Sequence, residues 1–147
     1  MKLILLELNE INFDIVNKYI ESGEQLNNFK KLFLGDLIST SSEKKYSHLE
    51  PWIQWASVHT GKTFEEHKIF RLGDITDSSE TQIFEKVEKA GFKVGAISPM
   101  NTKNNLKNPA YFVPDPWTNT LSDNSLLSRM LTYSISQAVN DNAQSKI

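Results

Sequence analysis

The apolar positions of the first 40 residues alternate between strand-like and helix-like spacing. Residues 3–8 form an apolar run of strand length, which is typical of a strand buried on both faces of a sheet. Asn12 is a residue type that caps helices, and the apolar positions of 13–20 continue at helical spacing. A second short helix is predicted over 26–34 and a further strand over 36–40.

The middle of the chain is organised around a Trp-rich segment that begins at Pro51. Proline favours the first position of a helix and Gly61 is a typical helix stop, so we predict a helix between them with Glu50 at its N-cap. The backbone N–H groups at such a helix start attract anions. The polar residues 40–48 and the mixed residues 63–77 on either side are predicted to be loops.

A helix–glycine–strand unit follows, and it is the clearest structural signal in the chain. Ser79 and Gln82 fit a capping box with Ser79 as the N-cap residue. The apolar stripe of 83–90 ends at Gly91, and 92–97 has the composition of a buried strand. Such a unit is half of a βαβ repeat, which favours a parallel sheet.

The C-terminal part adds a possible strand over 110–113, within a proline-rich loop, and an amphipathic helix over 125–139. The order of these elements predicts one α/β domain over 1–147, built as a layered sandwich with a mostly parallel sheet.

Composition limits the possible partners and ligands. The net charge of −2, with both signs mixed, favours neither nucleic acid nor a membrane as a partner, and the N-terminal apolar run is too short to span a bilayer. The chain has no cysteine, which excludes disulfides and thiolate catalysis and permits the reducing compartment of a cytoplasmic protein. Any metal would need carboxylate, amide, hydroxyl or imidazole ligands.

Residues that follow the predicted strands are candidates for a ligand site, because ligands of parallel α/β sheets bind beyond the carboxyl ends of the strands. Asn9 and Glu10 follow the first strand, and Glu50 follows the loop after the second. Together with His67 they could bind a hard metal or a phosphate group. The alternative is that Asn9 caps a turn, that Glu10 and Glu50 are solvated, and that His67 lies in a surface loop.

Aromatic residues and two further histidines surround the same helix. Trp52 and Trp55 are three residues apart and share one side of it, either as core residues or as the wall of a cleft. His48 and His59 flank the helix as ligands or as structural hydrogen-bond partners. The aromatic residues of 111–117 form either a specificity loop or a buried connection.

Three segments, in this order, resemble the alkaline phosphatase superfamily, and most closely its type I phosphodiesterase/nucleotide pyrophosphatase and sulfatase-like branches. Residues 8–14 (Leu-Asn-Glu-Ile-Asn-Phe-Asp) resemble its first motif, and 60–67 (Thr-Gly-Lys-Thr-Phe-Glu-Glu-His) resemble the run that closes its nucleophile helix. Residues 83–97 are similar to its next helix–glycine–strand unit. The resemblance covers roughly residues 1–98 and implies an alkaline-phosphatase-like fold of which this chain is the N-terminal part.

The resemblance implies a metal-dependent hydrolase of phosphate or sulfate esters, with divalent Zn, Mn or Ca as cofactor. The family's metal-binding Asp corresponds to Asn9, with Glu10 as a second acidic residue beside it and His67 as a further ligand. The family's nucleophile position falls on the residue before or after Glu50. Glu50 itself and Ser47, the nearest upstream hydroxyl, are therefore the candidate catalytic residues.

Two functions stay open. The family completes a two-metal site with downstream Asp and His residues, whereas this chain has no Asp-His dipeptide and no histidine after His67. One hypothesis is a hydrolase-like domain, incomplete in this chain, for an anionic small-molecule or glycan-linked ester. The other is a non-catalytic domain that binds an anionic ligand or a partner through its aromatic residues. Self-association is expected if a sheet edge or face is left uncovered.

Overall fold

A computed structural model describes residues 2–144 of the chain, with side chains described through Asp141. These residues form two compact units, the first ending at Ser42 and the second beginning at Glu43. They combine helices with a small parallel sheet, which is the α/β class in its broad sense. None of the helices within this range has both the length and the apolar character needed to cross a bilayer.

The first unit contains the helices α1 (Phe13–Glu21) and α2 (Asn27–Leu32). α1 begins where the sequence predicts, because the side chain of Asn12 accepts a hydrogen bond from the backbone N–H of Ile15 (3.1 Å). The ring of Phe13 meets those of Phe29 and Phe33 edge-on, with centroids 6.5 and 5.8 Å apart. These rings hold the two helices together.

The second unit, in its described part, contains four α-helices, two one-turn 3-10 helices and one sheet. The bounds are α3 (Pro51–Thr60), α4 (Phe64–His67), α5 (Ile83–Lys89), α6 (Leu126–Gln144), β1 (Gly95–Ile97) and β2 (Tyr111–Val113), with the 3-10 helices at Tyr46–His48 and Asp74–Asp77. α3 packs against α4 and α5, and α6 packs against β2.

α3 has the bounds that its end residues predict. Pro51 occupies the first turn, and Gly61 ends the helix with a φ of +72°, a left-handed conformation that favours glycine. On its buried face, Ala56 forms an apolar cluster with Ile69 and Ile75. The loop residues after α3 thus return to cover the helix, which anchors it in the core of the second unit.

The sheet consists of β1 and β2 in parallel, with Gly95 opposite Tyr111 and Ala96 opposite Phe112. Ala96 and Phe112 are buried on the same face. The two strands lie within the segments that the sequence predicts as strands over 92–97 and 110–113, but each is only three residues long.

Two other predicted strands are not present in the described residues. Residues 3–8 and 36–40 have no regular secondary structure, and the side chains of Leu3, Ile4 and Ile38 are 81%, 88% and 87% exposed. The prediction of a buried first strand is therefore wrong for this structure. A strand exists only through hydrogen bonds to a neighbouring strand, and an apolar run by itself does not supply that neighbour.

The start of α5 also differs from the prediction. The capping residue is Gln82 and not Ser79, because the carboxylate of Glu85 accepts the backbone N–H of Gln82 (2.9 Å). The amide of Gln82 is fully buried and bonds both the carbonyl and the N–H of Lys103 (2.8 and 3.2 Å). This distant contact fixes Gln82 at the helix start. Residues 63–77, predicted to be a loop, contain α4 and a 3-10 helix.

Candidate functional site

The N-terminal turn of α3 carries Glu50, one of the two candidate catalytic residues. Glu50 is exposed, and its side chain does not cap the helix. Its backbone carbonyl accepts the N–H groups of Ile53 and Gln54 (3.0 and 3.1 Å). Since Pro51 has no N–H, the N–H of Trp52 is the donor that this turn can offer to an anion.

Ser47, the other candidate catalytic residue, lies in the 3-10 helix that precedes α3 and is exposed. The residue after it, His48, is buried and packs on the ring of Phe64, with centroids 3.9 Å apart. Ser47 thus exposes its hydroxyl, whereas the imidazole of the next residue, His48, is buried against α4.

His67 is buried and is joined to α3 through Ser57. Its Nδ1 accepts a hydrogen bond from the backbone N–H of Ile69 (2.9 Å), and its Nε2 lies 2.9 Å from the Oγ of Ser57. Because Nδ1 is an acceptor, the neutral ring carries its proton on Nε2 and donates it to Ser57. His67 is thus buried, and the alternative that it lies in a surface loop is wrong. To bind a metal, its ring would have to give up one of these two bonds.

The charges around His67 act against each other. Burial lowers the pKa of His67 below its ordinary value, while the nearby carboxylates of Glu80, Glu43 and Glu66 raise it and the ammonium group of Lys62 lowers it. The net effect is a lowered pKa, so the ring is neutral around pH 7. In this state Nε2 cannot remove the proton of Ser57, and the pair is not a nucleophile with its base.

His59 lies near the opposite end of α3, where it is buried. Its Nδ1 is 3.0 Å from the Oγ1 of Thr102, which is fully buried. The imidazole also stacks on Trp55 (5.8 Å between centroids) and contacts the ring of Phe84 on α5 (5.2 Å). The sequence leaves open whether His59 is a ligand or a structural hydrogen-bond partner, and these contacts are those of a structural partner. Trp55 packs against the imidazole of His59.

A fully buried asparagine, Asn101, joins three segments beside the first turn of α3. Its side-chain amide donates to the carbonyls of Trp52 (2.9 Å) and Arg71 (3.4 Å), and its side-chain oxygen accepts the N–H of Gly73 (2.9 Å). Its own backbone N–H donates to Oδ2 of Asp115 (2.8 Å). Asn101 therefore connects α3 with the segment after α4 and with the proline-rich segment after β2.

Asp115 is 3% exposed, and its carboxylate accepts four hydrogen bonds. Oδ1 accepts the N–H groups of Trp117 and Thr118 (both 2.8 Å), and Oδ2 accepts the hydroxyl of Thr118 (2.7 Å) and the N–H of Asn101. Four donors compensate for the loss of water around this buried carboxylate. The sequence patterns did not assign an individual role to Asn101 or to Asp115. Two sequence features could have drawn attention to them: Asp115 lies between two prolines, and Asn101 follows the predicted strand 92–97.

The candidate metal ligands Asn9 and Glu10 lie in the first unit, before α1. Glu10 is exposed and has a φ of +60°. Both residues offer oxygen atoms, the ligand type that hard divalent metals prefer. Within residues 2–144, no group of three or more His, Asp and Glu side chains could hold a metal ion. His67, the third candidate ligand, lies in the second unit.

No protein-family model, no curated protein and no solved structure matches this chain. The resemblance to the alkaline phosphatase superfamily therefore stays a prediction that depends on the three sequence segments and their order.

Proposed function

We propose that the chain carries part of a layered, alkaline-phosphatase-like α/β domain that hydrolyses phosphate or sulfate esters with the help of a divalent metal. The substrate would be an anionic small molecule or a glycan-linked ester. The observation that best supports this proposal is α3, which begins at Pro51 and ends at Gly61, with Glu50 exposed at its start. These bounds correspond to the nucleophile helix of the resemblance, and a helix N-terminus stabilises a phosphate or sulfate group.

The proposed roles follow from the chemistry of the side chains. A bound Zn²⁺, Mn²⁺ or Ca²⁺ would stabilise negative charge on the ester oxygens. Asn9 and Glu10 are the proposed metal ligands of the first unit, through their oxygen atoms, and His67 is the proposed metal ligand of the second unit. The carboxylate of Glu50 can accept a proton from a water molecule, and Ser47 adds a hydroxyl before the same helix.

A metal titration tests the metal part of this proposal. MnCl₂, ZnCl₂ or CaCl₂ is added to the purified chain and the melting temperature is followed. A metal present at 100 times its Kd stabilises the folded state by about 2.7 kcal/mol, so we expect a clear increase. Glu10→Gln should reduce this increase, whereas Glu24→Gln, which changes another exposed carboxylate of the first unit, should leave it unchanged.

Hydrolysis assays test the catalytic part. The longest native form of the protein is incubated with bis(4-nitrophenyl) phosphate and with 4-nitrophenyl sulfate in the presence of each metal. We expect release of 4-nitrophenol that Glu50→Gln reduces at least tenfold, because a general base contributes about 10²–10⁴-fold to the rate. Asp77→Asn, an exposed carboxylate elsewhere in the second unit, is the control. The enzyme proposal is rejected if no metal raises the melting temperature and neither ester is hydrolysed.

A second candidate function is a non-catalytic domain that binds an anionic ligand or a partner. It is favoured by Leu49 and Pro51, the two residues on which the family's nucleophile position can fall, because neither offers a hydroxyl. Trp117, which is 51% exposed, and the segment 111–117 would then provide aromatic contact surface. Binding of inorganic phosphate or sulfate without ester hydrolysis would support this second function over the first.

The proposal includes a cytoplasmic location and self-association. A reducing compartment is compatible with a chain that has no cysteine. Large apolar side chains such as Leu126, Leu127 and Met130 on α6 are more than half exposed, which favours association of copies. Size-exclusion chromatography with light scattering tests this part, and a monomer at all concentrations would contradict it.

A further inference from the structure

The hydrogen bonds of Asn101 connect the first turn of α3, through Trp52, with Arg71, Gly73 and Asp115. We call this set the Asn101 junction, which comprises Asn101, Asp115, Trp52, Arg71 and Gly73. Its bonds connect residues that lie 14, 28, 30 and 49 positions apart in the sequence. The junction therefore brings together segments that local structure alone would leave independent.

Asparagine suits this position for two reasons. Its amide presents a donor and an acceptor on one short side chain, and the junction uses the donor for Trp52 and Arg71 and the acceptor for Gly73. Its backbone has a φ of +50°, a conformation that asparagine adopts more readily than most residues. Few other side chains would satisfy both requirements.

Asp115 holds Asn101 in place from the other side. Its carboxylate is saturated by four donors, so the N–H of Asn101 is tied to a buried group that also organises Trp117 and Thr118. Rearranging this segment would leave a buried charge with fewer donors, which is costly. The proline-rich segment thus acts as a rigid support for the junction.

Trp52 is connected to the segment after α4 by one direct hydrogen bond and by a second one that passes through Asn101. Its indole N–H donates to the carbonyl of Phe70 (3.1 Å), and its backbone carbonyl accepts the amide of Asn101, which also bonds Arg71 and Gly73. The first turn of α3 cannot shift relative to residues 70–73 without breaking at least one of these bonds.

We propose that Asn101, supported by Asp115, is a positioning residue that sets the place of the first turn of α3 and hence of Glu50. The inference rests on the proposed function for what this turn does in catalysis. How the turn is held follows from the contacts alone. The position of the turn and its role in catalysis can therefore be tested separately.

Native-state hydrogen exchange on the unmodified chain tests how the turn is held. If the junction opens as one unit, the amide protons of Gln54, Gly73 and Thr118 exchange with the same opening free energy and the same dependence on urea. The amide of Ala90 at the end of α5 serves as the comparison outside the junction. Distinct opening free energies for Gln54 and Gly73 would show that the junction does not couple them and would overturn the proposal.

Asn101→Gly removes the side chain while keeping a backbone that tolerates positive φ. We expect the amides of Gly73 and Gln54 to exchange at least tenfold faster, because the substitution removes three hydrogen bonds of the Asn101 side chain and the loss of one buried bond alone corresponds to about tenfold. The amide of Ala90 should change by less than half as much. Asn105→Gly is the matched control, since Asn105 is exposed and its side chain bonds the carboxylate of Glu85. A uniform increase at all amides, or no increase at Gln54, would contradict positioning.

Ester hydrolysis tests the functional part. Where the unmodified protein hydrolyses bis(4-nitrophenyl) phosphate, we expect Asn101→Gly to lower kcat at least fivefold with KM changed less than twofold, and Asn105→Gly to change neither. Unchanged kcat with altered exchange at Gln54 would overturn the catalytic role of the turn. Absence of hydrolysis by the unmodified protein would instead reject the proposed function, while the exchange experiments would still decide how the turn is held.

Discussion

The aromatic ring of Tyr111 lies against Gly95, its partner across the parallel sheet. A Cβ atom placed on Gly95 would come far closer to Cζ of this ring than van der Waals contact allows. The glycine therefore leaves the space that the ring occupies, and the ring in turn covers a strand position that has no side chain of its own.

Replacing Gly95 by alanine should destabilise the second unit, because the ring of Tyr111 must move away from β1. Overpacking of this kind costs about 1–3 kcal/mol, and the lower half of that range is expected because the ring is partly exposed. Urea unfolding measures the change. In a Tyr111→Ala background the same Gly95→Ala substitution should cost less than half as much. Equal costs in the two backgrounds would show that the ring is not the cause.

His67 should make the stability of the protein depend on pH. Burial lowers its folded-state pKa below the ordinary value of 6.5, so the unfolded chain binds more protons below that pH. The stabilisation is complete above pH 6.5 and is lost as the pH falls toward the folded-state pKa. We expect the free energy of unfolding to decrease from pH 7 to pH 5.

The matched variant for this prediction is His67→Asn, whose side-chain oxygen can still accept the N–H of Ile69 but does not titrate. Both proteins retain His48 and His59, so the difference between their pH profiles isolates His67. The unfolding free energy of the variant should fall less steeply between pH 7 and pH 5. Parallel profiles would contradict the prediction.

Ser57 should not react as a serine nucleophile. The Nε2 of His67 donates its proton to the Oγ of Ser57 and therefore cannot activate that hydroxyl. We expect no label on Ser57 after treatment with phenylmethanesulfonyl fluoride at pH 7.5, as measured by mass spectrometry of peptides. Ser57→Ala should also retain any ester hydrolysis that the unmodified protein shows. Selective labelling of Ser57 would mean that His67 adopts the other tautomer.

Asp123 links β2 to the start of α6. Its Oδ2 accepts the N–H of Phe112 (2.5 Å) and its Oδ1 accepts the N–H of Ser125 (2.8 Å). Burial by itself raises the pKa of Asp123, but hydrogen bonds from Ser125, Ser128 and the N–H of Phe112 outweigh it, and the pKa lies well below its ordinary value of 3.8.

Asp123→Asn should therefore lower the free energy of unfolding by about 1.5–3 kcal/mol at pH 7, the range for hydrogen bonds to a charged group. Because the folded-state pKa is depressed, this contribution is present above the unfolded value of 3.8 and is lost as the pH falls through the folded value. The difference in unfolding free energy between the unmodified protein and Asp123→Asn should accordingly become smaller from pH 5 to pH 2. Asp141→Asn, at an exposed position of α6, should show no such difference.

Elements with strong end residues could be predicted from the sequence. Asn12 caps α1 through Ile15, and Pro51 and Gly61 delimit α3, because these preferences depend on backbone conformation and on bonds within one turn. The exposure of Glu50 at the start of α3 agrees with one of the alternatives that the sequence left open. The position of α3, with Glu50 at its start, could thus be predicted from the residues at the ends of the helix.

Other features depend on residues far away in the chain. The apolar run 3–8 predicted a strand that the described residues do not form. The N-cap residue of α5 is Gln82 and not the predicted Ser79, and the amide of Gln82 donates to the carbonyl of Lys103. His67 was assigned either to a ligand site or to a surface loop, yet it is buried against Ser57. For Gln82 and His67 the partner that decides their role lies outside the local segment.

The sequence by itself determined where α1 and α3 begin, where α3 ends and which chemistry the absence of cysteine excludes. Only the tertiary structure decided which polar side chains become buried and what they bind. Asn101 shows why: its amide bonds the carbonyl of Trp52, 49 residues away, and nothing in either local sequence specifies that contact. The ends of α1 and α3 are selected by residues within one turn, whereas a buried hydrogen bond is selected by the fold that brings its two groups together.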